Sequence, residues 1–194
     1  SDQEVISEYA RYVLERPTDA KDAYRDYEYH EAFKPSVDLI AYYLTQYSPD
    51  EHNDIWWGRG TTEWNNVSKA VPQFAGHRQP ILPGELGFYD LRLKEVFERQ
   101  IEMAKNYGIA AFSFYYYWFA GERILEKPLK MFLADQSLDM PFMFCWANEN
   151  WSKMWDGGNC EIILQQDSDS IDAELFSWIK SLYLVASILL SAKS

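Results

Sequence analysis

The chain has 194 residues, 47% of them hydrophobic, which suits one globular domain with a buried core. Its formal net charge of −12 argues against nucleic acid and anionic membrane surfaces as partners, and favours a neutral or cationic ligand. Aromatic residues reach 17%, and seven of the eight tryptophans fall between Trp56 and Trp155, so the aromatic excess is concentrated in one region. Cys145 and Cys160, and the histidines His30, His52 and His77, lack the spacing of a disulfide framework or a metal site, so neither metal nor cofactor is expected.

Taken from the N-terminus, Gln3 to Arg16 predicts an amphipathic helix closed by Pro17. The segment Ser1 to Glu15 is charged and does not read as a secretory signal, so a cytoplasmic protein is the expectation; a start at Ser1 also suits a piece of something longer. Thr18 to Lys34 reads as a connector, giving an N-terminal helix and linker over residues 1–34. The main domain, residues 35–176, opens with a buried strand over Val37 to Leu44. The Thr45 to Tyr89 stretch is irregular and punctuated by Gly and Pro, but it carries Trp56, Trp57, Trp64 and Phe74, which makes a functional loop the expectation. Asp90 reads as the N-cap of a helix that Gly108 ends. Ile109 to Phe119 is a second buried strand, Ile124 to Ala134 a helix, and Pro141 to Cys145 a third strand. Alternating strands and helices, with strands apolar throughout, predict a parallel α/β sheet covered on both faces. The final segment, residues 177–194, has no acidic residue, and its apolar run from Leu182 to Leu190 is too short to span a bilayer, so no transmembrane segment is expected.

The densest cluster of chemistry-bearing residues follows the third strand: Trp146 to Gly157 reads W-A-N-E-N-W-S-K-M-W-D-G. It sets Glu149 among Trp146, Trp151 and Trp155, with Asn148, Asn150 and Asp156. Indole faces cover the C–H faces of a sugar ring, amides and carboxylates bind its hydroxyls, and a carboxyl group can do acid/base work on a glycosidic oxygen. In a parallel α/β sheet the site lies at the carboxyl ends of the strands. Three such ends carry unusual residues here: Tyr42, Tyr43 and Gln46, then Tyr115 to Trp118, then Asn148 and Glu149. Alternation along the second strand sends Tyr116 opposite to Tyr115 and Tyr117, and the sequence leaves open which parity faces the interior.

Seven segments together resemble the WbsX-type proteins of bacterial polysaccharide gene clusters, related to glycoside hydrolase family 99. They are A-Y-Y-L at Ala41–Leu44, N-D-x-W-W-G-R-G from Asn53, T-E-W-N-N-V from Thr62, G-H-R-Q-P from Gly76, L-G-F-Y-D at Leu86–Asp90, Y-G-I-A-A-F-S-F-Y-Y-Y-W-F from Tyr107, and W-A-N-E-N-W from Trp146. The resemblance implies a (β/α)8 TIM barrel and glycosyl transfer or glycoside hydrolysis on O-antigen, lipopolysaccharide or capsule polysaccharide. It implies Glu149 and Glu63 as catalytic carboxylates, and it brings Trp64, His77, Asp90, Tyr116 and Trp118 to the site. The chain departs from the family pattern where Thr45, Tyr47 and Ser48 replace Pro, Phe and His, and at Lys153 and Met154. A barrel of this type takes about 250 residues, whereas roughly 160 follow Pro35, so the N-terminal half of a barrel is expected.

The leading expectation is therefore a carbohydrate-active enzyme with an oligosaccharide or polysaccharide substrate. Its carboxylates would stand about 5–5.5 Å apart for retention or about 6.5–9.5 Å for inversion. The expected substrate-binding residues are Tyr43, Trp57, Trp64, His77, Tyr116, Trp118, Asn148, Trp151, Trp155 and Asp156. A nucleotide-sugar transferase is the subsidiary version, since no glycine-rich phosphate loop is present and Asp167 and Asp169 only approach an Asp-x-Asp motif. The alternatives are a non-catalytic glycan-binding module and an inactive fragment of a longer glycosyltransferase, in which other transferase domains are linked to this one.

Overall fold

A computed structural model describes residues 2–15, 26–29, 31–74, 76–119, 121–152, 161–166 and 173–181. In chain order the elements are α1 (Asp2–Glu15), β1 (Leu39–Tyr43), α2 (Glu51–Trp57), α3 (Glu63–Lys69), α4 (Lys94–Asn106), β2 (Ile109–Phe119), β3 (Glu122–Ile124), α5 (Lys127–Ala134), β4 (Phe142–Trp146), β5 (Trp151–Ser152) and β6 (Ile162–Leu164). A last helix covers 173–181, crossing the boundary expected between 176 and 177. The apolar run from Leu182 to Leu190 lies outside the described residues. No helix among the described residues is long and apolar enough to cross a membrane.

β1, β2 and β4 form a parallel sheet with β2 in the middle. Bulky residues at alternate positions of β2 (Phe112, Phe114, Tyr116 and Trp118) share one face with Tyr43 of β1 and with Phe142, Phe144 and Trp146 of β4. α4 and α5 pack there. Phe97 of α4 stacks on Tyr43 at 5.7 Å, and Phe132 of α5 lies 4.9 Å from Phe114. The last helix adds Leu175 and stacks Trp178 on Tyr116 at 4.7 Å.

The opposite face is built differently, which corrects the expectation of strands covered on both sides. Tyr42 is 73% exposed, Ile40 50% and Met143 42%. Among the described residues only the carboxyl end of this face is capped, by α2, β3 and the β5–β6 pair. The first strand is therefore an edge strand with one solvated face rather than a buried one, and no closed barrel forms among the described residues.

Local chemistry moved several boundaries. Asp90 does not cap α4. Its side chain accepts from the Arg92 N–H at 2.9 Å and pairs with the guanidinium, so the helix begins after a turn, at Lys94. The Arg92 contacts hold the Asp90 carboxyl below the usual range. α5 begins at Lys127, where Pro128 suits a first turn, while Glu122–Ile124 folds back antiparallel on the end of β2. The long 45–89 stretch contains α2, capped by Asp50, and α3, where Asn65 Oδ1 accepts from the Thr62 N–H at 2.9 Å.

Gly108 ends α4 at φ +77, and a Cβ there would lie 2.8 Å from Phe33 O and from Pro35 Cδ. Gly108→Ala is expected to cost about 1–3 kcal/mol through both the left-handed backbone and the clash, read as a lower urea midpoint at unchanged m.

Candidate functional site

The uncapped face of the sheet becomes a site only where the strands end. Tyr117 of β2 is 5% exposed and lies under the α2 and β5 tryptophans. The Trp151 ring stands edge-on to Tyr117 at 5.2 Å and 38° from the Trp56 ring at 6.5 Å. Burial pushes the Tyr117 phenol far up, and Tyr115, Glu63, Glu149 and Cys145 push it further. The charges of Glu63, at the start of α3, and of Glu149, on the loop before β5, both add to that rise. Burial raises Tyr47 with help from Glu63, and Tyr115 with help from Cys145, Glu149 and Tyr42.

Beside this phenol lies a cavity of about 70 Å³, lined by Gln46, Asn53, Trp57, Thr61, Thr62, Glu63, Asn66, Lys69 and Trp151. Three segments supply it: the turn after β1, α2 and α3 with the loop between them, and β5. Thr61 Oγ1 donates to the carbonyls of Trp57 and Gly58, and the Glu63 N–H donates to Gln46 O at 3.3 Å, which ties α3 to the β1 turn. The β5–β6 hairpin is pinned by Gln166. Its amide donates to Trp118 O and Ala147 O, both at 2.8 Å, and its N–H donates to Asn150 Oδ1 at 2.7 Å.

α2 is held by a knot centred on the buried Asp50. Asp50 accepts from the His52 N–H at 3.0 Å and from the Leu125 N–H at 2.9 Å. Leu125 sits at φ 57, a left-handed conformation unusual for a branched residue. The His52 ring spans Asp50 at 3.0 Å and Glu122 at 2.9 Å.

Of the residues expected from sequence, Trp57, Glu63 and Trp151 meet at the cavity. Glu149 and Asn148 stand exposed on the loop just before Trp151. Three others lie in the helix-side core instead. Tyr43 donates its hydroxyl to Gln100 Oε1 under α4; Tyr116 and Trp118 are 2% and 3% exposed, with Trp178 packed on them. Tyr116's hydroxyl faces Glu126 and Arg123 there, without hydrogen-bond geometry to either. Trp64 also turns away: its Nε1 donates to Tyr89 O at 2.7 Å and its ring packs on Tyr47 at 4.6 Å. His77 stacks on Phe74 at 4.5 Å, accepts from the Gln73 N–H, and lines a separate groove with Gln73 and Arg78. Trp155, Asp156, Asp167 and Asp169 lie outside the described residues.

Sequence reasoning missed Asn53 and Tyr117. The signal for Tyr117 was available. Phe112 and Phe114 are bulky and Ala111 and Ser113 small, which marks the even parity of β2 as the helix-packed one and the odd parity as the site face.

The family model for glycosyltransferase WbsX matches residues 39–185. This chain belongs to the WbsX family. The match to WbsX includes every strand of the parallel sheet and all three cavity-lining segments. Two curated relatives, both called uncharacterized protein WxcX and from two strains of Xanthomonas campestris pv. campestris, are 50% identical over 134 residues. The aligned segment is 69% of this chain and 19% of each relative, so the chain spans about a fifth of their length. No solved structure matches it. Among the described residues no group of three or more His, Cys, Asp or Glu side chains is placed to hold a metal ion.

Proposed function

We propose that this chain is the N-terminal part of a (β/α)8 barrel that transfers or cleaves glycosyl groups of bacterial polysaccharide, such as O-antigen or capsule. The observation that carries the reading is the meeting of Trp57, Trp151 and Glu63 at one cavity, with Glu149 on the loop that leads into Trp151. Indole faces and two carboxylates are the parts that glycosidic chemistry uses: one carboxyl protonates the leaving oxygen and the other activates water or attacks the anomeric carbon. Membership of the WbsX family supports transfer over hydrolysis. Helices on one sheet face and two open strand edges suit half a barrel, and the greater length of the WxcX proteins suits a parent with further transferase domains.

Trp57→Ala tests the stacking platform. Glycan affinity measured by titration calorimetry is expected to fall about tenfold, the loss of one aromatic contact of about 1–1.5 kcal/mol. Unchanged affinity would remove Trp57 from the site.

A further inference from the structure

The groove that holds His77 reverses the charge of the chain around it. The chain carries 30 Asp and Glu against 18 Lys and Arg. The groove, about 520 Å³, is lined by Lys69, Gln73, His77, Arg78 and Gln79, and by no carboxylate among the described residues. Its volume falls within the roughly 300–1,000 Å³ of small-molecule sites. Lys69, Gln73 and Arg78 are exposed, and His77 and Gln79 are half-buried, so all five are open to a ligand from solvent. His77 Nδ1 accepts from the Gln73 N–H at 3.1 Å, and the ring lies flat on Phe74. A neutral ring so held keeps its proton on Nε2 and is a donor there. The Gln79 side chain donates to His77 O at 3.0 Å, which ties the same turn together. Two cations and a ring N–H, with no carboxylate among them, suit an anion.

Lys69 gives the groove its place beside the candidate site. It closes α3, where a cation ordinarily offsets the last carbonyls. It also lines both this groove and the cavity of Trp57, Glu63 and Trp151, so the two spaces adjoin at one side chain. That adjacency bears on the leaving group. In transfer from an activated donor, the bond between the anomeric carbon and a phosphate oxygen breaks, and its electron pair leaves with the phosphate. The acceptor hydroxyl forms the new bond and gives its proton to a carboxylate. Cations beside the departing phosphate stabilise the charge that develops on it. Hydrolysis of a glycan releases a neutral sugar hydroxyl instead, which needs a proton and not a cation.

We infer that the groove binds the phosphate end of a glycosyl donor, with Lys69 and Arg78 as its charge partners and His77 as a hydrogen-bond donor. The inference rests on the glycan reading above and deepens it: the substrate class is a sugar joined to phosphate or diphosphate, and the reaction is transfer.

The test titrates the full 194-residue chain by NMR, at fixed ionic strength, with inorganic pyrophosphate, sulfate, methyl glucuronide and a neutral mannose-rich oligosaccharide. Pyrophosphate should bind about tenfold or more tighter than sulfate or the glucuronide. Lys69→Gln and Arg78→Gln should each weaken it about three- to tenfold. Trp57→Ala should leave it unchanged, because Trp57 lines the cavity and not the groove. Uridine diphosphate and a prenyl diphosphate separate a nucleotide donor from a lipid-linked one, by which of them gains affinity over pyrophosphate. Pyrophosphate that binds no better than sulfate, or equally well to Lys69→Gln and the parent, would overturn the anion groove. The glycan reading would then stand if the neutral oligosaccharide still binds. A glucuronide that binds as tightly as pyrophosphate would overturn the donor assignment in favour of an acidic polysaccharide. Pyrophosphate binding without any oligosaccharide binding would overturn the glycan reading, and the donor role with it.

Discussion

Glu149→Gln is expected to lower glycosyl turnover by about 10²–10⁴-fold, the usual contribution of a positioned acid or base. The substitution keeps the shape of the side chain, and Glu149 is exposed on the loop before β5, so stability should change by less than about 0.5 kcal/mol. Glycan affinity should persist, because the aromatic walls of the cavity are untouched. Glu63→Gln should act in the same direction, since Glu63 opens α3 on the cavity wall. Carboxylates working as a pair are strongly non-additive, so the double variant should be little slower than the worse single one. Product analysis by mass spectrometry with a defined oligosaccharide measures all three. Turnover that is unaffected by Glu149→Gln would assign the chemistry elsewhere, and binding without turnover in the parent chain would favour a glycan-binding module.

Asp50→Ala should be the most destabilising single change outside the hydrophobic core. It uncaps α2, at about 1 kcal/mol, and strands the buried Leu125 N–H, at about 1–3 kcal/mol. It also frees one side of the His52 ring, leaving Glu122 as its remaining carboxylate partner. A total of roughly 2–4 kcal/mol corresponds to a fall in melting temperature of about 5–15 °C for a chain of this size. The site should suffer with the fold, because α2 carries Asn53, Trp56 and Trp57. Asp50→Asn keeps one acceptor oxygen and should fall between parent and Ala. A melting temperature within a degree or two of the parent would show that the knot does not hold α2.

Much of this architecture was legible in the sequence because it rests on local signals. The run of apolar and aromatic residues from Ile109 to Phe119 reads as a buried strand, and the structure places β2 on those same residues. Gly108 marked the end of α4 through its backbone requirement. What stayed hidden depends on partners far away in sequence. Whether Tyr116 or Tyr117 faces the site depends on which side α4 and α5 pack. Trp64 was expected to bind substrate because nothing local reveals that its indole reaches Tyr89 O, 25 residues on. Asn53 sits mid-helix with no local oddity, and only the packed cavity shows its oxygen unmatched. Asp90 carried a capping signal, but Arg92 captured its side chain two residues later. The exposed face of β1 was hidden for a related reason: its residues are apolar enough for a buried strand, and only the packing shows that one side is uncovered.

The central claim, a formed glycan site within this chain, is tested most directly by thermal unfolding of the purified protein with and without a panel of mannose-rich and O-antigen oligosaccharides. Ligands that bind only the native state raise its melting temperature by mass action. A cooperative transition moved upward by one class of neutral glycan is the predicted result. A transition that no glycan moves would contradict it.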